Sequence, residues 1–264
     1  MTVAQLNSRA VIAVGGPDWR TFLQGLLTQD VETLRPGEAR FGALLTPQGR
    51  LLYDLFLVGA DEGCLLDVAA EHRDALLQRL TLYRLRAKVD LAASEAKVFA
   101  AFPASDGIVD PRLPELGARI YGEGAGDADE TAYEAHRLAL GVPGPADWGS
   151  DKTYPIEANF DLLGGIDFKK GCFVGQETTS RMKRRGQVKS RMLPITFEGA
   201  PPPPGTEILA GELRAGEVLS GVDGRAMALV RLDRALGAPL TVGDRSAQVE
   251  TPAWFPQTAG DNAA

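Results

Sequence analysis

Apolar and polar positions repeat with two different periods along this chain, and the changes of period mark its elements. Residues 11–14 (VIAV) are a short apolar run that predicts a strand. In PDWRTFLQGLLTQDV, which follows, Trp19, Phe22, Leu23, Leu26 and Leu27 recur at the spacing of one helical face, with Pro17 near the first turn. ARFGALL and RLLYDLFLV, separated by TPQG, and then CLLDVAA after GADEG, predict strands joined by Gly-containing hairpin connections. The helical period returns in EHRDALLQRLTLYRLRAKV through Leu76, Leu77, Leu80, Leu82 and Tyr83. Arg84, Arg86 and Lys88 bring cations near its end, where the helix dipole favours them. The first 90 residues therefore read as an α+β layer.

Further along, VDLAA, KVFAAF and ARIYG predict strands, interrupted by SDGIVDPRLPELG, and DETAYEAHRLAL predicts a helix with Ala132, Tyr133, His136 and Leu140 on one stripe. GVPGPADWGSDKTYP, with three prolines and three glycines, breaks regular structure. A helix over GQETTSRMKRR, a strand from Leu193 to Phe197 and a stiff PPPPG boundary at 201–205 come next. The short strands with Gly turns that follow are typical of a small barrel. The expected organisation is a bipartite region over 1–190, with subdomains of about 1–95 and 96–190, a barrel over 191–256, and a frayed polar tail at 257–264.

At 264 residues and 44% hydrophobic, the chain can bury a sizeable core. No apolar run approaches a membrane span, and MTVAQLNSRAVIAVGG lacks the pattern of a signal or organellar presequence, which places the chain in the cytoplasm. Cys64 lies in an apolar strand and Cys172 in a polar turn, so a disulfide between them is not expected. Two cysteines and two histidines are too few for a self-contained metal site. His72 and His136, with no nucleophile or carboxylate fixed near them by spacing, read as structural or exposed.

Charge changes this picture at one place. The segment 169–191, KKGCFVGQETTSRMKRRGQVKSR, holds eight Lys/Arg against the single acid Glu177, on a chain of formal charge −7. Such a patch suits an anionic ligand or partner, although a solvated face is the commoner meaning of a charge run. Within it Cys172 follows Lys170 and Gly171 and precedes a helix start, a setting of cations and free amides that favours thiolate. Gly175 permits close backbone approach or a positive φ. Glu177 can cap free amides or accept hydrogen bonds from a ligand. Upstream, TYPIEANFD places Glu157 and Asn159 in a loop or strand end, where a carboxylate suits a flat heterocycle bearing an amidine-like edge.

Lys170-Gly-Cys-Phe-Val-Gly-Gln-Glu177 resembles the K-G-C-[YF]-x-G-Q-E signature of the YgfZ family of folate-binding proteins, linked to iron–sulfur cluster maintenance and tRNA modification. FLQGLLTQDV, LLTPQGRLLYD, RLTLYRLRAKV, GVP and PIEANFD look like successive blocks of the same family. That family is similar to the aminomethyltransferase T-protein of glycine cleavage, so the resemblance implies a T-protein-like folate-binding fold with a small C-terminal barrel.

By the same resemblance Glu157 matches the carboxylate that holds the pterin, with Asn159 beside it. Gln176, Glu177 and Arg191 fall near the folate, and Asp74 near the acid that faces its reacting nitrogens. Lys170 and Cys172 become a reactive corner. Arg137-Leu-Ala-Leu stands where T-proteins have R-x-E, and Cys172 where they lack a cysteine, which favours a YgfZ-type role. The function implied is a tetrahydrofolate-binding accessory protein, polyglutamylated folate included, for the assembly or repair of [4Fe–4S] enzymes, among them those that thiolate tRNA, with assembly or client proteins as partners. A folate-dependent one-carbon transferase and an RNA-binding module using 181–191 are the alternatives; the acidic net charge and lack of interleaved aromatics disfavour the latter.

Overall fold

In the computed structural model the described residues are 1–256 other than Ser105 and Gln187, with Arg185 described by its backbone alone. The tail 257–264, expected to fray, lies outside the described residues. The chain divides into two compact units, Met1–Arg137 with Gly144–Val188, and Leu138–Pro143 with the chain from Lys189 onward.

The first unit begins with β1 (Thr2–Gln5), β2 (Arg9–Gly15) and the short helix α1 (Trp19–Gln24). A meander of β3 (Ala39–Leu45), β4 (Leu51–Ala60) and β5 (Gly63–Ala69) leads through a single 3-10 turn into α2 (Arg73–Arg84). Then come β6 (Asp90–Ser94), β7 (Lys97–Phe102), β8 (Ile108–Val109) and β9 (Ala118–Gly122). A 3-10 turn at Pro114–Leu116 precedes β9, and the helices α3 (Glu130–Ala139), α4 (Pro145–Trp148) and α5 (Gln176–Arg185) follow it. Antiparallel pairing builds a five-stranded sheet in the order β3-β4-β5-β2-β6 and a four-stranded sheet in the order β1-β7-β9-β8.

The two-residue period of a strand decides which side chains meet. On β2 and β5, Ile12, Val14, Cys64, Leu66 and Val68 join one core with Trp19, Leu23 and Leu27 and with Leu76 and Leu80 of α2. Val11 and Leu65 belong instead to a second cluster with Ala4, Leu6, Val98, Ala100 and Tyr133, which includes side chains of the four-stranded sheet. Each fully buried leucine of this kind contributes roughly 1.5–3 kcal/mol.

One element is shorter than its apolar period predicts. α1 stops at Gln24, although Leu26 and Leu27 continue the helical stripe. Leu27 instead bridges to Leu44, and the carbonyls of Gln24, Leu27 and Gln29 turn toward a lysine far along the chain. All five apolar residues still reach the same core. Tertiary hydrogen bonds outweigh helical propensity here, which is small per residue.

The second unit contains β10 (Ser190–Phe197), β11 (Glu207–Ala210), β12 (Leu213–Val222), β13 (Arg225–Arg231), helix α6 (Leu232–Ala235), β14 (Leu240–Val242) and β15 (Arg245–Val249). The strands close into an antiparallel barrel in the order β10-β13-β12-β11-β14-β15, with β15 returning to β10 through Ile195 and Val249. Trp254 Nε1 donates to the Leu140 carbonyl at 2.9 Å, tying the end of the described chain to the Leu138–Pro143 segment of the same unit.

Candidate functional site: the Cys172 loop and the Glu157 turn

Lys170 does not stand free beside the thiol. Its Nζ donates to the carbonyls of Gln24, Leu27 and Gln29 at 2.7, 2.5 and 2.9 Å, and only 9% of the residue is exposed. Asp167 shapes the approach: its Oδ1 accepts from the amides of Lys169 and Lys170, and its own amide donates to Thr28 O at 2.9 Å. The Thr28 hydroxyl in turn donates to Gly165 O at 2.7 Å and accepts from the Ala43 amide at 2.8 Å. The lysine is thus a clamp between the Cys172 loop and the 24–29 turn.

Burial pushes the Lys170 ammonium down from 10.5 to about 8, against the upward pull of Asp30, Asp167 and Glu32. Between those values the unfolded chain binds more protons than the folded one, so this group makes folding more favourable as pH rises through the interval. Replacing Lys170 by alanine leaves three carbonyls without their donor and is expected to cost about 1–3 kcal/mol. Urea unfolding checks both points. The variant should be the less stable at pH 7, and the difference between the two proteins should widen toward pH 9.5.

The loop is held on its other side as well. Phe173 is buried, with Lys170 Nζ 5.5 Å from its ring centre. Gly175, the residue before α5, has φ +79°. A Cβ there would lie 2.6 Å from Thr46 O and 2.9 Å from Gly49 Cα, so only glycine allows the start of α5 to rest on the β3–β4 hairpin. Gly49 has φ +86°, and a Cβ on it would lie 3.0 Å from Gly175 O. Between these fixed points Cys172 is exposed and unpaired.

The Glu157 turn is held by main-chain bonds. Asp151 and Thr153 pair with Leu51, and Arg50 reaches the Lys152 carbonyl at 3.0 Å and lies over the Tyr154 ring. Glu157 Oε2 accepts from the Tyr154 amide at 3.0 Å, and among the described residues no hydrogen bond reaches Oε1. Burial raises the carboxyl above its ordinary value, opposed by that amide and by Arg50. Asn159 is fully buried at φ +61°, and its carbonyl accepts from the amides of Leu162 and Leu163. It shapes the turn that presents Glu157.

The other expected residues are dispersed. Gln176 is half-buried and Glu177 exposed, both in the first turn of α5. Asp74 stands in the first turn of α2 with its side chain 86% exposed, ion-paired to its neighbour Arg73 at 3.2 Å. Arg191 is buried on β10 and belongs to the second unit. Of the basic segment, Arg181, Lys183 and Arg184 are exposed on α5, whereas Gln187 and the Arg185 side chain fall outside what is described.

Buried charge was not anticipated. Asp67 accepts from Arg9 Nε at 2.6 Å, Arg119 Nη1 at 2.7 Å and the Tyr121 hydroxyl at 3.0 Å. Arg9 also pairs with Asp54 at 2.7 Å, and Asp110 holds Arg112 at 2.8 Å. These side chains join the two sheets. Nearby, Arg137 pairs with Asp147 at 3.0 Å and with Glu134 at 2.6 Å. A sequence signal existed: Asp54 and Asp67 interrupt the apolar runs LLYDLFLV and CLLDVAA, and charge inside such a run needs a partner.

Residues 189–257 match the family model described as CAF17, C-terminal beta-barrel domain. The mitochondrial iron–sulfur cluster assembly factor IBA57 of Homo sapiens is 30% identical over 301 residues, covering 96% of this chain and 85% of the relative. The mitochondrial IBA57 homolog of Neurospora crassa is 31% identical over 241 residues, covering 76% of this chain and 55% of that longer relative. The crystal structure of glycine cleavage system aminomethyltransferase T from Bartonella henselae matches with a TM-score of 0.77 at 19% identity, covering 96% of this chain and 86% of that one. The fold is therefore the expected T-protein-like α+β fold with a C-terminal barrel.

Two expectations change. These relatives carry the IBA57 name and not that of YgfZ, and neither name refers to tRNA, so the resemblance holds at the level of a related iron–sulfur assembly factor. Both are named as mitochondrial proteins, which overturns the cytoplasmic placement drawn from the first residues.

Proposed function

Since this chain belongs to the IBA57 family of iron–sulfur cluster assembly factors, we propose that it binds tetrahydrofolate and supports the assembly or repair of [4Fe–4S] enzymes through Cys172. The observation that carries the reading is the mounting of the thiol. Cys172 is exposed on a loop fixed by the Lys170 clamp, by buried Phe173 and by Gly175 against the hairpin. A thiolate is a good ligand for iron–sulfur clusters, but one thiol is too few to hold a cluster alone. Cys172 therefore shares a cluster with ligands from an assembly or client protein during transfer. Lys170 serves that role by positioning the loop.

Glu157 suits the pterin. One carboxylate oxygen is satisfied by the Tyr154 amide and the other is left to accept from a ligand's N–H group. Bound tetrahydrofolate would supply a carrier for one-carbon units. Asn159 keeps the turn in place, Gln176 and Glu177 are further contact candidates, and the exposed cations of α5 suit the carboxylates of a glutamate or polyglutamate tail. Asp74, exposed and paired with Arg73, lends no support to aminomethyl transfer.

Two measurements test the two halves. Titration with tetrahydrofolate should show saturable binding, weakened at least tenfold in Glu157→Ala. Wild-type affinity should fall with decreasing pH, because burial makes Glu157 take up its proton earlier than an ordinary carboxyl. Absent binding, or binding indifferent to Glu157→Ala, removes the folate half. Separately, the chain should restore [4Fe–4S] enzyme activity in cells that lack such a factor, and failure to do so removes the assembly half.

A further inference from the structure

The far end of α2 carries an apolar and basic surface that neither the folate turn nor the Cys172 loop uses. Among the described residues six large hydrophobic side chains are exposed, and three of them, Leu82, Tyr83 and Leu85, fall within four positions here. The inner face of the helix is made by Leu76 and Leu80. Leu82, two residues beyond Leu80, turns away from that face, and Leu85 follows the last residue of the helix. Leu82 is 68% and Leu85 88% exposed, so neither is satisfied by this chain's own packing.

Leu85 also sits at φ 45° and ψ −104°, a backbone conformation that a branched residue rarely adopts. Such a conformation costs on the order of 1–3 kcal/mol, and here no burial of the side chain offsets it. Strain that displays a leucine to solvent is understandable if something covers the leucine.

The charges around it say what. At this end of α2, Arg79, Arg84, Arg86 and Lys88 stand against Asp18, whose Oδ2 accepts from the Lys88 amide at 2.7 Å, and exposed Asp90, a local excess of two positive charges on a chain of net −7. Arg79 lies by the Tyr83 hydroxyl, and Arg84 donates to the Val89 carbonyl at 3.1 Å. The side chains of Arg86 and Lys88 have no ion pair among the described residues.

We propose that this end of α2, formed by Leu82, Tyr83, Leu85, Arg86 and Lys88, is a docking surface for a separate protein that presents apolar side chains set among carboxylates. Apolar anchors ringed by complementary charge are the usual make-up of an interface centre. An anionic bilayer would attract the same cations but repel the acidic remainder of the chain. A nucleic acid would pair with the cations and gain little from two leucines. The proposal is independent of folate binding and of the chemistry at Cys172.

The test is site-specific photocrosslinking of the full chain in cells, with benzoylphenylalanine placed at position 82 and, as a reference, at exposed Val109. The expected product is a crosslink from position 82 to an acidic, apolar-containing segment of another protein. Its purified partner should then lose at least tenfold in affinity for Leu82→Glu/Leu85→Glu, and severalfold for Arg86→Glu/Lys88→Glu with a weaker salt dependence. Circular dichroism should show both variants folded. Crosslinks to lipid, to RNA, to a second copy of this chain or to a non-acidic segment would overturn the proposal. So would a yield no greater than at Val109, or affinity unchanged by the variants.

Discussion

A Cys172→Ser chain is expected to melt with the wild type and to lose at least tenfold in its rescue of [4Fe–4S] enzyme activity. The two halves of that expectation come from the same placement. The thiol is exposed and unpaired, and substitutions at such positions usually change stability by no more than about 0.5 kcal/mol. The hydroxyl that replaces it is a poor ligand for iron, which prefers thiolate sulfur in clusters. Cys64 offers no substitute: it is 2% exposed on β5, and burial pushes its pKa up to about 12. Alkylation of the folded wild type should accordingly consume one thiol, at Cys172, and protect the chain from cluster transfer. Full rescue by a normally folded Cys172→Ser chain would sink the assigned role.

The serine variant bears on chemistry that the sequence displays openly; the lysine two residues earlier shows where such reading stops. Adjacency in K-G-C suggests an ammonium at the thiol, yet Lys170 reaches carbonyls more than 140 positions away. Nothing in local spacing reports such a contact. The strands β2 and β5 were legible as short apolar runs bounded by glycine-containing turns, whichever partners they meet. The end of α1 was not, because tertiary bonds to the 24–29 carbonyls cut short a stripe that continues in the sequence. Glu157 was legible as a turn carboxylate, whereas the environment of Asp74 was not: the first turn of a helix can face a cavity or solvent, and here it faces solvent. The barrel was legible as short strands between glycine turns, while its closure through Ile195 and Val249 is a long-range pairing.

The buried ion network carries the largest expected effect on stability. Arg9, Arg112 and Arg119 are matched by Asp54, Asp67 and Asp110, three charges of each sign, with every one of these residues at least nine-tenths buried. Asp67 touches both sheets, through Arg9 of β2 and through Arg119 and Tyr121 of β9. Asp67→Ala should leave one buried positive charge in excess and cost about 3–5 kcal/mol, the range for removing one partner of a buried pair. Urea unfolding should show the loss as a lower midpoint at unchanged slope.

Acid should approach the same end by a different route. Burial raises the Asp110 carboxyl, but Arg112 and Arg119 outweigh it and hold the group below its usual value. Its contribution is therefore complete above the ordinary carboxylate range and is lost as pH falls through the lowered folded value. Asp67→Asn separates charge from shape, since it keeps the size of the side chain and one acceptor while removing the negative charge. A loss close to that of Asp67→Ala would place the effect in charge balance between the sheets, and a small loss would place it in packing and hydrogen bonding alone.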